Sequence, residues 1–302
     1  MMNFRPLIIS GVFTFLVGTC AHADLVVSNS VNALGNTLTN SARSVSPLGV
    51  TVDNNTGSLL PLNYDYSSAF AYANYGVLKA YVLSTDNIRS TSASSQATAQ
   101  FLDTITINAP GLAGQQGTIN ADFIFNWRIF AGLSGNAVSG AGGQVVFNFN
   151  NNQYVERAQG GVDQHGGQTI TSSGGYNGSN NLPFSFDIRI LNDFTFGYPI
   201  QISGFLAVNS GVAVGGDGGY AEGSNDAAHS AYWNGIQSIS SNNRVINDFT
   251  VVSTSGANYK NSFVPLAVVP DPNNVPEPAS LVLVGIGMLG LAISRKKFSR
   301  GK

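Results

Sequence analysis

Phe184-Ser185-Phe186-Asp187-Ile188-Arg189-Ile190 is the stretch of sequence that decides the fold. Its apolar and polar residues alternate, which is the period of a β-strand with one buried face and one solvated face. The same alternation recurs at 121–129 and at 194–202. A helix would repeat its apolar residues every three or four positions, and no sustained pattern of that kind lies between the two ends of the chain. The pattern therefore predicts a body built of β-strands.

Shorter candidate strands lie between clusters of turn-forming residues. These strands are at 76–83, 104–108, 144–150, 205–214, 227–239 and 245–253. The turn signals between strands are Ala109-Pro110-Gly111, Ser134-Gly135-Asn136, Gly174-Gly175 and Gly215-Gly216-Asp217-Gly218-Gly219. The polar stretch 24–57 has a weaker pattern, so we expect one leading strand and a loop there.

Many strands joined by Gly-rich turns indicate an all-β fold. We predict a single antiparallel β-sandwich of the jelly-roll type for the body. A β-solenoid is the alternative, because Asn, Gly and Ser are abundant. The sequence shows no repeat of fixed period, which counts against the solenoid.

The composition restricts the classes of partner. Charged residues make up 10% of the chain, against roughly 25% in typical soluble domains. Residues 24–275 contain eight basic and fifteen acidic side chains, a net charge of −7. This balance argues against nucleic acid and against electrostatic binding to anionic lipid. Abundant hydroxyl and amide groups suit a neutral, polar partner such as a polysaccharide, and they equally suit a solvated surface that binds nothing.

The N-terminus reads as a secretory signal. Arg5 supplies the positive charge, residues 7–17 form an apolar helical segment, and Ala21-His22-Ala23 fits the small-x-small cleavage pattern. Cleavage after Ala23 would make Asp24 the first residue of the mature chain.

Two alternatives to this cleavage remain open. One is a permanent N-terminal anchor, for which the apolar segment is short, and the other is lipidation at Cys20. Cys20 is the single cysteine of the chain. Cleavage after Ala23 therefore predicts an exported domain without disulfides, whose stability comes from core burial.

Near the other end, Val275-Pro276-Glu277-Pro278 precedes an uncharged apolar stretch at 279–294 and the basic cluster Arg295-Lys296-Lys297. The apolar stretch predicts a transmembrane helix, although it is short against the ~20 residues usual for a span. Basic side chains can snorkel to the interface, and they set the orientation with the body in the periplasm. A buried core helix is the alternative for so short a stretch.

These three elements, in this order, resemble the sorting signal of the PEP-CTERM family of exported Gram-negative bacterial proteins. The resemblance implies that an exosortase recognises Pro276, Glu277 and Pro278. It implies cleavage near that motif and loss of the hydrophobic tail. It also implies an association with exopolysaccharide and with the cell surface or biofilm matrix.

Prolines upstream of the motif predict a semi-rigid spacer, because proline fixes φ and favours extended chain. The predicted organisation is a signal peptide at 1–23, a β-rich body at 24–263, a Pro-rich spacer with the sorting motif at 264–278, a transmembrane helix at 279–294 and a basic cytoplasmic tail at 295–302.

Residues that could carry catalysis or bind a metal are sparse. His165 and His229 are the histidines of the predicted mature chain, and no Gly-x-Ser-x-Gly motif accompanies them. Asp217, Glu222 and Asp226 lie in a Gly-rich segment whose oxygen ligands could bind calcium. A flexible turn with solvated acids is the simpler interpretation. We expect no other cofactor.

Aromatic residues form two groups in the sequence. The first is Tyr64, Tyr66, Tyr72, Tyr75 and Tyr81, and the second is Tyr220, Tyr232 and Trp233. Exposed rings of this kind can stack on sugar rings. Core or cross-strand packing explains them as well.

Together these features predict an exported, non-enzymatic cell-surface or matrix protein that is sorted by an exosortase. The alternative is a carbohydrate-binding module that holds exopolysaccharide, with calcium assisting. A glycan-active enzyme is the third hypothesis, and it would need two opposed carboxylates. The expected partners are the exosortase, exopolysaccharide and the inner membrane, and nucleic acid is not among them.

Overall fold

Strands whose side chains alternate between a buried and a solvated face build the described part of the protein. The computed structural model describes residues 23–46, 48–60, 63–162, 168–172 and 181–263, which contain strands and no helix. The strands are β1 (Asp24–Ala33), β2 (Asn36–Ser44), β3 (Val50–Leu60), β4 (Asn63–Asn74), β5 (Val77–Asp86), β6 (Thr91–Asn108), β7 (Gln116–Phe149), β8 (Asn152–Val162), β9 (Gln168–Ser172), β10 (Asn181–Thr195), β11 (Pro199–Ser241), β12 (Arg244–Val245) and β13 (Thr250–Ser253).

Two very long strands, β7 and β11, organise the sheet. They pair antiparallel from Ile202 opposite Phe149 to Ser240 opposite Thr118. The register breaks between Val214 and Gly219. On one side of this break β11 also pairs with β6, and on the other side it also pairs with β5. The break therefore divides one continuous sheet into two layers.

The two layers share β7 and β11 and differ in their other strands. The first layer runs β9-β8-β7-β11-β6-β1-β2, and the second runs β10-β7-β11-β5-β4-β3. Hydrogen bonds join the layers across the interior. Asn29 Nδ2 donates to the Ala69 carbonyl at 2.8 Å, and the hydroxyls of Ser84 and Ser210 lie 2.8 Å apart.

The bend between the layers depends on glycine. Gly135 in β7 and Gly218 in β11 adopt positive φ values of 70° and 83°, a region that side chains disfavour. A Cβ at Gly219 would lie 2.5 Å from the carbonyl oxygen of Ser134. The absence of side chains lets the two backbones cross closely while they turn from one layer to the other.

The all-β prediction is confirmed, and so is the antiparallel sandwich, because every pairing in the described sheet is antiparallel. The solenoid alternative, whose coils stack in parallel, is not the fold. The deciding stretch at 184–190 lies within β10. Its Ile188 and Ile190 are buried, whereas Asp187 and Arg189 are exposed. The predicted signal and transmembrane helices lie outside the described residues, apart from Ala23.

Several local predictions are wrong. Ser134-Gly135-Asn136 lies within β7 and is not a turn, residues 196–198 form a turn that divides the predicted strand 194–202, and 245–253 holds two short strands instead of one. Gly215–Gly219 is not a chain reversal but the bend of the continuous strand β11, because it crosses the equally glycine-bearing bend of β7. The stretch 24–57 holds β1, β2 and most of β3 rather than one strand and a loop. Nearly every side chain of β2 is exposed, so its sequence lacks the alternation that marks a half-buried strand.

The core is aromatic toward one end of the sandwich. The rings of Phe123 and Phe147 lie 4.9 Å apart between centroids, and those of Phe147 and Trp233 lie 5.7 Å apart. Such rings fill the wide space between two sheets with few side chains. This end therefore holds most of the large buried apolar volume.

The opposite end, near the bend, is filled by small and polar side chains. A second apolar cluster there consists of alanines and valines, including Ala93 and Val212. Beside it, the hydroxyls of Ser84, Ser95 and Ser210 bond to one another at 2.8–2.9 Å. Mutual hydrogen bonding compensates the cost of burying these groups.

A C-terminal strap, residues 250–263, closes the aromatic end. Trp233 Nε1 donates to the Tyr259 carbonyl at 2.6 Å, and the Phe263 amide donates to the Trp233 carbonyl at 2.9 Å. The buried Asp103 carboxylate accepts from the Ser255 amide at 3.2 Å. The described body thus remains tightly bonded up to Phe263.

We expect Gly204→Ala to destabilise the fold by about 1–3 kcal/mol through overpacking. A Cβ there would lie 2.4 Å from Cε1 of the buried Phe101 ring and 3.1 Å from Leu78. Gly211→Ala, on the same strand, is the matched control, since a Cβ at Gly211 meets no heavy atom within 4 Å. Denaturant unfolding of both variants measures the difference, and equal stabilities would contradict this account of the core.

We expect Tyr75 to ionise late. Burial, with contributions from Asp103 and Asp24, raises the pKa of Tyr75 to about 12. The folded state therefore keeps a proton that the unfolded chain releases near pH ~10. Stability should fall as the pH rises from about 10 toward 12. In an ultraviolet titration, Tyr75→Phe should remove part of the late tyrosine signal.

Candidate functional site

The residues of the predicted sorting signal lie outside the described part of the chain. This holds for Val275, Pro276, Glu277 and Pro278, for Arg295, Lys296 and Lys297, and for Ala21 of the predicted signal cleavage site. The described part contains no apolar helix of membrane-spanning length. The domain boundaries proposed from the sequence therefore stay predictions.

The predicted mature N-terminus coincides with the start of the fold. Ala23 is 8% exposed, and Asp24 opens β1. The Asp24 carboxylate pairs with the Arg43 guanidinium of β2 at 2.7 Å. A chain beginning at Asp24 would keep the whole of β1 and this ion pair.

The calcium candidates are not brought together. Asp217 is exposed near the bend and accepts from Asn136 Nδ2 at 3.4 Å. Glu222 accepts from the Tyr220 hydroxyl on its own strand. Asp226 lies four residues farther along β11, about 13 Å away at the usual rise of a strand. Within the described residues no group of three His, Cys, Asp or Glu side chains could hold a metal ion.

The structure separates the aromatic residues of the sequence groups into core and surface. Tyr75 and Trp233 are buried in the core. Tyr66, Tyr72, Tyr81, Tyr220 and Tyr232 are half-buried and alternate with the buried positions of their strands, so they lie on the outer side of the second layer. The side chains of Tyr64, His165 and His229 lie outside the described residues.

Two further phenylalanines, which sequence grouping missed, share this outer side. Phe70 lies on β4 opposite Tyr81 of β5, and Phe130 lies on β7 opposite Ser224 of β11. We call this surface the aromatic face. Its rings are Tyr66, Phe70, Tyr72, Tyr81, Phe130, Tyr220 and Tyr232. The strand register brings residues 66–81 beside residues 220–232. Knowledge of that register would have been needed to group these rings from the sequence.

Some of these rings pack directly against the backbone of a glycine. A Cβ at Gly49 would lie 2.7 Å from the Tyr72 ring, and one at Gly132 would lie 2.9 Å from the Phe130 ring. Lys79 Nζ lies 5.8 Å from the centroid of Tyr72, and burial lowers the pKa of Lys79. The rings thus rest against the sheet and cover the lysine stem, and the charged side chains of Glu222 and Asp226 lie on the same outer side.

Two opposed carboxylates do occur in the structure. Asp65 and Asp86 are paired across β4 and β5, and both side chains point inward. Each is 0% exposed. A glycan cannot reach them, so they do not form the carboxylate pair of a glycosidase cleft.

Comparison with known proteins gives one match. Residues 274–296 match the family described as the PEP-CTERM protein-sorting motif. No curated protein and no solved structure gives a significant match to the chain. The matched segment contains the Pro-Glu-Pro triplet, the apolar stretch and the first two basic residues, and so confirms the resemblance inferred from their order. The chain therefore carries a PEP-CTERM sorting motif, the mark of an exported protein that an exosortase processes at the membrane.

Proposed function

We propose that this chain is a non-enzymatic protein of the cell surface or biofilm matrix, delivered there by an exosortase. The PEP-CTERM motif at residues 274–296 is the observation that carries the proposal. In this scheme the N-terminal signal directs export, and the apolar stretch at 279–294 holds the chain in the inner membrane with the body in the periplasm. Processing near Pro276–Pro278 then releases the body.

The body has properties that suit this route. Its first described strand begins at Asp24, where signal cleavage is expected, so cleavage would leave every described strand whole. The segment between the two processing points has no cysteine, and its sheet relies on core packing instead of disulfides. The inaccessibility of Asp65 and Asp86 favours a non-enzymatic role over glycan hydrolysis.

A second candidate function is the binding of exopolysaccharide, and the aromatic face favours it. Half-exposed rings on adjacent strands, with hydroxyl side chains such as Ser68 and Ser224 between them, offer stacking surfaces and hydrogen-bonding groups together. Sugar rings present both C–H faces and hydroxyls.

We expect Glu277→Gln to block removal of the C-terminal tail while export continues. Glu277 is the single charge between Asp271 and Arg295, and proline on each side of a residue favours the extended backbone that a protease-like cleft binds. The measurement is the intact mass of the protein from membrane and extracellular fractions of its host. Asp271→Asn is the matched control and should be processed normally. Normal tail removal in Glu277→Gln would contradict the role assigned to Glu277 in recognition by the exosortase.

We expect Phe70→Ala and Tyr81→Ala each to weaken binding to exopolysaccharide isolated from the host by roughly two- to tenfold. This corresponds to the loss of about 0.5–1.5 kcal/mol per stacked ring. Phe205→Ala, on the outer side of the first layer, should bind normally. Equilibrium sedimentation with the polysaccharide, with calcium or chelator, measures affinity and any calcium dependence. Equal binding by all variants would argue against the aromatic face, while leaving the sorting proposal untouched.

A further inference from the structure

Asp65 and Asp86 form a buried pair near the bend of the sandwich. They lie directly opposite each other in the antiparallel pairing of β4 and β5. Directly opposite residues place their Cβ atoms about 4.5–5.5 Å apart. Both side chains belong to the inner face, and both are 0% exposed. Two acidic groups thus share one interior position.

Each carboxylate uses one oxygen and leaves the other without a donor. Asp65 Oδ2 accepts from the Leu34 amide at 2.7 Å. Asp86 Oδ1 accepts from the Ile88 amide and from the Thr91 hydroxyl, both at 2.8 Å. Among the described residues, Asp65 Oδ1 and Asp86 Oδ2 have no hydrogen-bond partner. Two buried acceptors are therefore left over, and neither can satisfy the other unless a proton lies between them.

Among the described residues, the surroundings supply no positive charge to balance the pair. Inward-facing neighbours on β1, β6 and β11 are uncharged, including Ala33, Ser95 and Val212. The charged groups of the adjoining segments face elsewhere. Arg89 in the β5–β6 turn is exposed beside Gly218, Asp217 is exposed, and Glu222 and Asp53 lie on the outer side of the second layer.

Electrostatics favours a protonated state for such a pair. Burial raises the pKa of both carboxyls, and the charge of Asp86 raises the pKa of Asp65 further. Like charges this close cannot both ionise at low cost in an interior. The Leu34 amide at Asp65, and the backbone of Ile88 and Val214 with the Thr91 hydroxyl at Asp86, act in the opposite direction and favour one ionised carboxylate over none.

We propose that Asp65 and Asp86 together bind one proton, as a carboxyl–carboxylate pair linking β4 to β5 beside the bend. The proton forms an O–H···O bond between the two leftover oxygens, and one negative charge remains, stabilised by the amides of Leu34 and Ile88. A bound metal ion fits less well, because calcium takes six to eight oxygen ligands. The described residues here show only two free carboxylate oxygens.

The shared proton links stability to pH. The unfolded chain releases this proton near the ordinary carboxyl pKa of about 4, whereas the folded chain keeps it to a higher pH. The unfolding equilibrium constant should therefore rise with pH, by up to about tenfold per pH unit, between that value and the pKa of the folded pair. The protein gains stability toward acid, which is the reverse of the behaviour of a salt-bridged carboxylate.

The experiment is denaturant unfolding of the exported protein between pH 4 and pH 8, followed by the fluorescence of Trp127 and Trp233, both of which are buried. Asp65→Asn and Asp86→Asn should each flatten the pH dependence, because an amide donates permanently to the remaining carboxylate. The double variant should show little further flattening. Asp53→Asn, at an exposed position on β3, should keep the wild-type slope.

Two results would overturn the proposal. One is a wild-type slope that persists in both single variants. The other is a calcium-induced stabilisation of the wild type that Asp65→Asn abolishes, which would assign the site to a cation. If the variants do not fold, the infrared spectrum of the wild type at neutral pH decides instead. Because burial also raises the pKa of the Asp103 carboxyl, the spectrum is recorded on Asp103→Asn as well. A protonated-carboxyl C=O band that persists in that variant supports the shared proton, and its absence contradicts it.

Discussion

The pairing of β7 with β11 is the interaction on which the rest of the structure depends. Each strand belongs to both layers, so the hydrogen bonds between them hold the two halves of the sandwich in one register. The glycines at the bend are the condition for this arrangement, since a side chain at Gly219 would collide with the Ser134 carbonyl. The remaining strands belong to the first or the second layer according to which half of the β7–β11 pair their part of the sheet extends.

The β7–β11 pair also explains why the buried side chains differ in size between the two ends of the interior. Away from the bend the layers separate far enough to hold Phe123, Phe147 and Trp233. Near the bend the interior holds alanine, valine, serine and the two aspartates instead of large rings. The buried Asp65 and Asp86 lie at this end, where apolar filling is thin. The same strand order brings residues 66–81 beside residues 220–232, which creates the aromatic face from segments far apart in the sequence.

The sequence predicted the strand class well and the connections poorly. Alternation identified β10 and much of β7, because burial on one side imposes a period of two residues. It could not show that Gly215–Gly219 continues a strand, since glycine permits both a reversal and a bend, and only the facing Gly135 distinguishes them. It also missed β2, whose exposed side chains carry no pattern. Among the aromatic residues, tertiary packing alone decides that Tyr75 and Trp233 are core while Tyr66 and Tyr81 are surface. The sorting motif was recognisable because its information is local, in the order of a few residues.

The C-terminal strap determines how the protein would carry mechanical force. A force applied to the chain beyond Phe263 would act first on the contacts of Phe263. These are its hydrogen bond to Trp233 and the packing of its ring on Gly76 and Tyr259. These contacts lie on the aromatic core and not on a fraying edge strand. Tension along the chain would thereby be transmitted to the buried aromatic core, so the sheet would hold its shape while its end is tethered.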